Sequence, residues 1–176
     1  INISADGLEK IYDTTWYEGA ITPDDKAALA QGGTIDICLY ADNINVTEIS
    51  PEEQGIFASK LGKSAVVERY IRLYIIKEVR DANGNLINGT PSYVSDLYDP
   101  VTISFPLGSL SGQKIYVASI HNTGNDYTFI NWDSDSDMVL SKNYVTVNTN
   151  HFSIYALYRM VAAPATYTVK WVDGDG

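Results

Sequence analysis

The segment HFSIYAL, residues 151–157, determines how we interpret the whole chain. Both parities of this run are apolar, since Ile154 and Ala156 alternate with Tyr155 and Leu157. A strand of this kind is covered on both faces, so we expect it in the centre of a sheet. The composition changes soon afterwards, and we therefore interpret the run as the closing strand of a domain.

Alternating segments before this run predict antiparallel strands. In residues 65–80, apolar and polar side chains occupy opposite parities, as in a sheet with one face in the core. This segment exceeds a usual strand in length, so we expect a bend or a late start. A hairpin turn is predicted at 81–85, and further strands at 34–41, 101–107, 115–120 and 127–132. The apolar parity of the long segment holds Val67, Ile71, Leu73, Ile75 and Val79.

Two short helices are predicted between the strands. Thr22 and Ser50 are good N-cap residues, and each precedes a proline and acidic residues. Glycines near 32 and at 62 end these helices. The whole pattern predicts a mainly β chain: an antiparallel β-sandwich, immunoglobulin-like in the broad sense, with two short connecting helices.

The domain organisation follows from composition. Residues 1–161 are predicted to form one β-sandwich module, with residues 1–49 as part of it or as a small separate unit. The Ala-Pro segment 162–166 is interpreted as a linker, and 167–176 as the truncated start of a following β repeat. Because residue 1 is not methionine, we expect the chain to be a piece of a longer protein.

Charge and cysteine content restrict the classes of function. The chain has 176 residues and a formal charge of -10, which disfavours nucleic acid and anionic membranes as partners. No apolar run is long enough to insert into a membrane. The single cysteine, Cys38, cannot form an internal disulfide, and we expect it in or near the core. We expect a module that is monomeric.

Three segments carry a resemblance to a known kind of domain. VTISFPL (101–107), KIYVASIHN (114–122) and HFSIYAL together resemble a β-sandwich module of large cell-surface proteins of Gram-positive (Firmicutes-type) bacteria, which closes with a Phe-Ser-x-Tyr-Ala strand. The resemblance covers roughly residues 50–160. It implies a secreted, extracellular, multidomain protein, anchored to the cell wall through segments outside this chain. It implies no particular ligand, so the partner is an unidentified protein or glycan of host or matrix.

His151-Phe152-Ser153 is similar to the self-cleaving strand of ankyrin and netrin-receptor type β domains. In those domains the histidine takes the hydroxyl proton of the serine, and the serine oxygen then attacks the phenylalanine carbonyl. His151 and Ser153 are two residues apart and share one face of a strand, which permits the reaction. The alternative interpretation is a core phenylalanine flanked by two polar residues.

Two metal sites are candidates. Asp133, Asp135 and Asp137 alternate in a loop and could collect oxygen ligands for calcium. The run lacks a glycine at the turning position and a distal bidentate glutamate, so a solvated acidic turn is the favoured interpretation. His121 and His151 could meet across a sheet, but the sequence offers no third zinc ligand. We therefore expect no cofactor, with calcium as the alternative.

The aromatic residues suggest a further type of site. Trp16 and Trp132, together with tyrosines that include Tyr70 and Tyr74, could stack on sugar rings if they lie on an exposed sheet face. Sheet-rim packing is the alternative. An internal isopeptide crosslink, such as some Gram-positive surface domains contain, would need Lys10 or Lys77 beside Asn148 or Asn150.

The sequence thus favours a noncatalytic structural or adhesive module of a secreted, cell-wall-associated bacterial surface protein. Paired catalytic carboxylates, a nucleophile elbow and a phosphate loop are all missing from the sequence, so we do not expect an enzyme. Two alternatives remain open. One is an autoproteolytic domain that cuts the Phe152–Ser153 bond, and the other is a carbohydrate-binding module.

Overall fold

The computed structural model describes residues 2–3, 20–124, 126–132 and 138–162. The helices are α1 (Pro23–Ala30) and α2 (Pro51–Leu61), with single 3-10 turns at Val46–Glu48 and Gly108–Leu110. The strands are β1 (Asn2–Ile3), β2 (Thr34–Ile44), β3 (Ala65–Arg80), β4 (Ser92–Val94), β5 (Asp96–Pro106), β6 (Tyr116–Asn122), β7 (Tyr127–Trp132), β8 (Met138–Leu140), β9 (Tyr144–His151) and β10 (Ile154–Met160).

The strands form two antiparallel sheets. The small sheet has the order β1-β5-β9-β8, and the large sheet has the order β2-β3-β10-β6-β7, with β4 added to β3. The predicted fold class, a mainly β sandwich with two short helices, is confirmed. No helix among the described residues has the length and apolar character that crossing a membrane would require.

The sequence predicted a single strand over residues 151–157, but the structure divides this segment between two strands. His151 ends β9 in the small sheet, and Ile154 begins β10 in the large sheet. Backbone hydrogen bonds hold the two residues between them. The N–H of Phe152 donates to the carbonyl of Ser95, between β4 and β5, and the Ser153 carbonyl accepts from the N–H of Leu73 in β3. The chain therefore crosses from one sheet to the other at Phe152 and Ser153.

β10 has the central position that its sequence predicts. It lies between β3 and β6. Tyr155 and Leu157 point into the core between the sheets, and both are 0% exposed. Ala156 and Tyr158 point to the opposite face, where Phe57 of α2 belongs to the same apolar cluster. Full burial of one such leucine contributes about 1.5–3 kcal/mol, so both faces stabilise the sandwich.

β3 contains the irregularity that its length suggests. Its pairing with β10 shifts by one residue, so that Leu157 lies opposite Arg69 and Tyr158 lies opposite Val67. A bulge of this kind moves the following side chains to the other face. Val67 accordingly packs with the α2 cluster, while Ile71 lies in the core between the sheets. The sequence assignment of Val67 to the same face as Ile71 is wrong for this reason.

The described part of the N-terminal region joins the same sandwich. β2 pairs with β3 along its whole length, from Thr34 opposite Arg80 to Ile44 opposite Tyr70. Cys38 is exposed on this strand, so its expected place in or near the core is wrong. Its parity is opposite to that of buried Ile37. Residues 163–176 lie outside the described residues, and they hold all of the predicted linker except Ala162 and the whole of the predicted following repeat.

A buried ion pair fastens α1 to β3. Thr22 caps the helix in a reciprocal capping box with Asp25. The carboxylate of Asp25 also contacts Nζ of Lys77, and both side chains are more than nine-tenths buried. Burial alone would raise the pKa of Asp25, but the hydrogen bonds from Lys77 and Thr22 outweigh it and the pKa is lowered. Because of this pair, Lys77 can lie on the same buried side of β3 as Ile75 and Val79.

Replacing Lys77 by methionine should destabilise the protein by about 3 kcal/mol, because a buried carboxylate then lacks its cation. Urea unfolding at neutral pH measures the change in free energy. Lys142→Met is the matched control, since Lys142 is exposed, and it should change stability by less than about 0.5 kcal/mol. Equal effects of the two substitutions would contradict the structural role of the pair.

Acid should weaken the protein through the same pair. The folded-state pKa of Asp25 is below its ordinary value of 3.8, so the unfolded chain binds the proton more readily. The contribution of the pair is present above the ordinary value and is lost as pH falls through the folded-state pKa. We expect the urea midpoint to fall further between about pH 5 and about pH 3 in the wild type than in Lys77→Met. An equal fall would show that Asp25 does not contribute.

Candidate functional site

Three tyrosines form a continuous row on the outer face of the large sheet, and we call Tyr40, Tyr74 and Tyr93 the tyrosine row. Tyr40 and Tyr74 lie opposite each other on β2 and β3, with ring centroids 5.0 Å apart and planes 10° apart. Tyr93 of β4 continues the row, with its ring centroid 6.1 Å from that of Tyr74. Tyr40 is 41% exposed and Tyr93 is 75% exposed. The row is therefore an aromatic strip, open to solvent, across three adjacent strands.

The central ring of the row is held in place. The hydroxyl of Tyr74 donates to Oδ2 of Asp42 at 3.0 Å. This hydrogen bond raises the pKa of Tyr74, so the hydroxyl stays protonated. Neighbouring Leu73 and Ile75 are buried in the core. Because adjacent residues of a strand point to opposite faces, core packing fixes the backbone that carries the ring.

A pocket adjoins the tyrosine row. Its volume is about 520 Å³, within the usual range for small-molecule sites. Tyr74 and Tyr93 form one side, and His121 and Ser153 lie among the residues that line the remainder. Its charged residues are Asp42, Glu53 and Arg72. The arrangement combines aromatic ring faces with polar groups at one concave site.

The aromatic residues predicted from the sequence are distributed differently. Trp132 is 6% exposed, and its ring stacks on Tyr155 with centroids 5.9 Å apart. It offers no face to a sugar. Trp16 lies outside the described residues. Tyr70 packs on Phe57 beneath α2. Among the described aromatic residues that the sequence proposed for sugar stacking, only Tyr74 belongs to the tyrosine row.

Asp96, His121 and His151 meet at one end of the sandwich, and we call them the Asp-His-His cluster. Asp96 begins β5 and lies opposite His151 at the end of β9. His121 comes from β6 of the large sheet. Oδ1 of Asp96 lies 2.7 Å from Nδ1 of His151 and 3.1 Å from Nε2 of His121. The imidazole rings stack with centroids 4.4 Å apart.

Burial and charge determine the protonation of the cluster. His121 is 3% exposed, and its burial lowers its pKa although Asp96 opposes the shift. Partial burial would raise the pKa of Asp96, but hydrogen bonds from Ser95 and His151 and the two imidazoles lower it. Near neutral pH we therefore expect an ionised Asp96 and a neutral His121. Among the described residues, Nδ1 of His121 has no hydrogen-bond partner.

The proposed self-cleavage pair is engaged elsewhere. The hydroxyl of Ser153 donates to the Ile120 carbonyl, and Nδ1 of His151 bonds Asp96. Among the described residues, no hydrogen bond joins His151 to Ser153. Phe152 between them is 4% exposed and lies in the core. Transfer of the Ser153 proton to His151 would require the hydroxyl to leave the Ile120 carbonyl and reach the other ring nitrogen, Nε2, since Nδ1 is bonded to Asp96.

The Phe152–Ser153 bond should therefore remain intact. After long incubation, a denaturing gel and an intact-mass measurement should show one chain of 19.4 kDa. The Ser153→Ala variant should give the same single chain. Two fragments from the wild type, with cleavage lost in Ser153→Ala, would instead establish the autoproteolytic alternative.

The remaining sequence candidates are accounted for separately. Asp133, Asp135 and Asp137 lie outside the described residues, as does Lys10. Lys77 contacts Asp25. The two asparagines considered for a crosslink have other partners. The Asn148 side chain accepts a hydrogen bond from Thr102, and the Asn150 amide donates to the Leu97 carbonyl.

Three comparisons with known proteins give no further guidance. No protein-family model matches the chain, no curated protein matches it and no solved structure matches it. The resemblance to Gram-positive surface modules stays a prediction. The geometry of the described residues therefore carries the functional argument.

Proposed function

We propose that the chain is a noncatalytic adhesive module of a secreted, cell-wall-associated bacterial surface protein, and that its tyrosine row binds a neutral glycan. The observation that carries the binding role is the exposed row of Tyr40, Tyr74 and Tyr93. The cellular location rests on the resemblance carried by residues 101–107, 114–122 and 151–157.

The tyrosine row suits a ligand with flat apolar faces and polar edges. Tyrosine side chains supply a large, rigid and amphipathic contact area at low conformational cost. Contiguous exposed apolar patches rimmed by polar residues are a known mark of interaction sites. The rings of Tyr40 and Tyr74 are stacked on each other, with planes only 10° apart, so each ring covers one face of the other. The ring edges and the faces turned away from this stack remain for contact with a sugar ring.

Polar groups beside the row fit the hydroxyl groups of a sugar. Asp42 and Glu53 are hydrogen-bond acceptors at the pocket. Arg72 gives one N–H to the Glu48 carbonyl, and a guanidinium carries five N–H donors in all. Two carboxylates here and a chain charge of -10 repel anionic sugars. A neutral glycan is therefore the ligand class that the surface favours.

An adhesive module and a purely structural spacer should respond differently to the loss of exposed aromatic rings. A spacer module needs a stable core and a soluble surface, and both would survive removal of exposed rings. Tyr93 is 75% exposed and so contributes little to the core. Its loss should therefore affect binding and leave stability nearly unchanged.

The test uses a panel of immobilised neutral glycans, followed by titration of the best ligand in solution. Tyr74→Ala and Tyr93→Ala should each weaken binding about tenfold, because each removes an aromatic contact surface from the row. Tyr144→Ala is the matched control, since Tyr144 is 39% exposed on the small sheet, and it should bind like the wild type. Absence of any glycan binding, or equal binding by the Tyr74→Ala/Tyr93→Ala double variant, would refute the proposal.

A further inference from the structure

We propose that Asp96, His121 and His151 form a binding site for a divalent transition-metal ion, and that zinc is the ion the site fits best. This inference does not depend on the glycan proposal. It rests on the geometry of the three side chains and on their positions in the two sheets.

The ligand atoms already have nearly the spacing that zinc requires. A tetrahedral zinc ion binds nitrogen and oxygen ligands at about 2.0–2.1 Å, which places neighbouring ligand atoms about 3.3 Å apart. The carboxylate oxygen of Asp96 lies 2.7 Å and 3.1 Å from the two imidazole nitrogens. All three ligand atoms lie within 4.8 Å of one another. To admit the ion, the two Asp96 distances would lengthen by a few tenths of an ångström. The two imidazole nitrogens, which lie no more than 4.8 Å apart, would settle at about 3.3 Å from each other.

The ligand types also favour zinc over the commoner hard cations. Two imidazole nitrogens and one carboxylate oxygen are a usual ligand set for a zinc ion that keeps its fourth position open. Calcium and magnesium prefer sites built from oxygen alone. The Asp96 side chain is 51% exposed, so solvent can reach the site and supply a fourth ligand.

The fold places the ligands on three strands of the two sheets. Asp96 and His151 are register partners in the small sheet. His121 belongs to the large sheet, where it lies opposite Thr128 of β7. A bound ion would therefore link the two sheets at the end of the sandwich where the chain crosses between them. Metal binding should then stabilise the folded state, because the unfolded chain does not hold the three ligands together.

Without an ion, the cluster is held by hydrogen bonds to one oxygen. Oδ1 of Asp96 can accept from Nδ1 of His151 and Nε2 of His121 at once. Metal binding moves each imidazole proton to the opposite ring nitrogen, so it needs no net loss of protons from neutral rings. In His121 that nitrogen is Nδ1, which is buried without a partner among the described residues. A buried donor of this kind reduces affinity, so we expect micromolar rather than nanomolar binding.

The composition leaves few other positions where a zinc ion could bind. The whole chain contains two histidines and one cysteine, so a metal bound through imidazole can occupy few other positions. The experiment uses the complete chain with Cys38→Ser, which removes the exposed thiol as a competing ligand. Zinc is titrated by calorimetry, and cobalt(II) is added as a spectroscopic substitute whose visible absorption reports its coordination geometry.

We expect one zinc ion per chain, an increase in the thermal midpoint with zinc, and a cobalt spectrum of tetrahedral or five-coordinate type. Asp96→Asn and His151→Gln should each weaken zinc binding at least tenfold. Asp36→Asn is the control, since Asp36 is an exposed carboxylate of β2, and it should bind zinc like the parent protein.

Two results would overturn the proposal. One is the absence of zinc binding at concentrations well above the micromolar range. The other is equal affinity in Asp96→Asn and His151→Gln, which would place the ion elsewhere. If these variants fail to fold, the histidine resonances of the parent protein decide the matter, because zinc must shift the ring-nitrogen signals of both His121 and His151. A shift of neither, or of only one, refutes the three-residue site.

Discussion

The requirement to cover β10 on both faces governs the arrangement of the molecule. Tyr155 and Leu157 need one apolar layer, and Ala156 and Tyr158 need another. The small sheet supplies the first layer and α2 supplies the second. A two-sheet structure without α2 would leave the second set of side chains in water. The helix is therefore part of the core, although it occupies a connection between strands.

The same requirement creates the polar end of the sandwich. The chain must leave the small sheet after His151 and enter the large sheet at Ile154, with only two residues between them. So short a crossing brings the ends of β9, β6 and the start of β5 together. Backbone hydrogen bonds of Phe152 and Ser153 hold this junction. The proximity of Asp96, His121 and His151 is thus a consequence of the way the sheets are connected.

Much of the fold could be predicted from local patterns, and much of the site could not. Alternation and helix caps identify β3, α1 and α2, because these signals depend on neighbouring residues only. The meeting of His121 and His151 was considered from sequence, but Asp96 was missed because it begins a strand in a segment with little pattern. Tyr40 and Tyr93 were missed because their alignment with Tyr74 depends on strand register. Trp132 was considered for a surface role, yet size and aromaticity alone do not separate core from surface.

β3 joins features that would otherwise be independent. One of its edges pairs with β2, and the other pairs first with β10 and then with β4. Its inward side chains, Leu73 and Ile75, are locked in the core, while Tyr74 stands on the opposite face. A partner that touches Tyr74 therefore meets a surface that is already ordered. If this face binds the proposed glycan, docking would be rigid, and the protein would lose little chain entropy on contact.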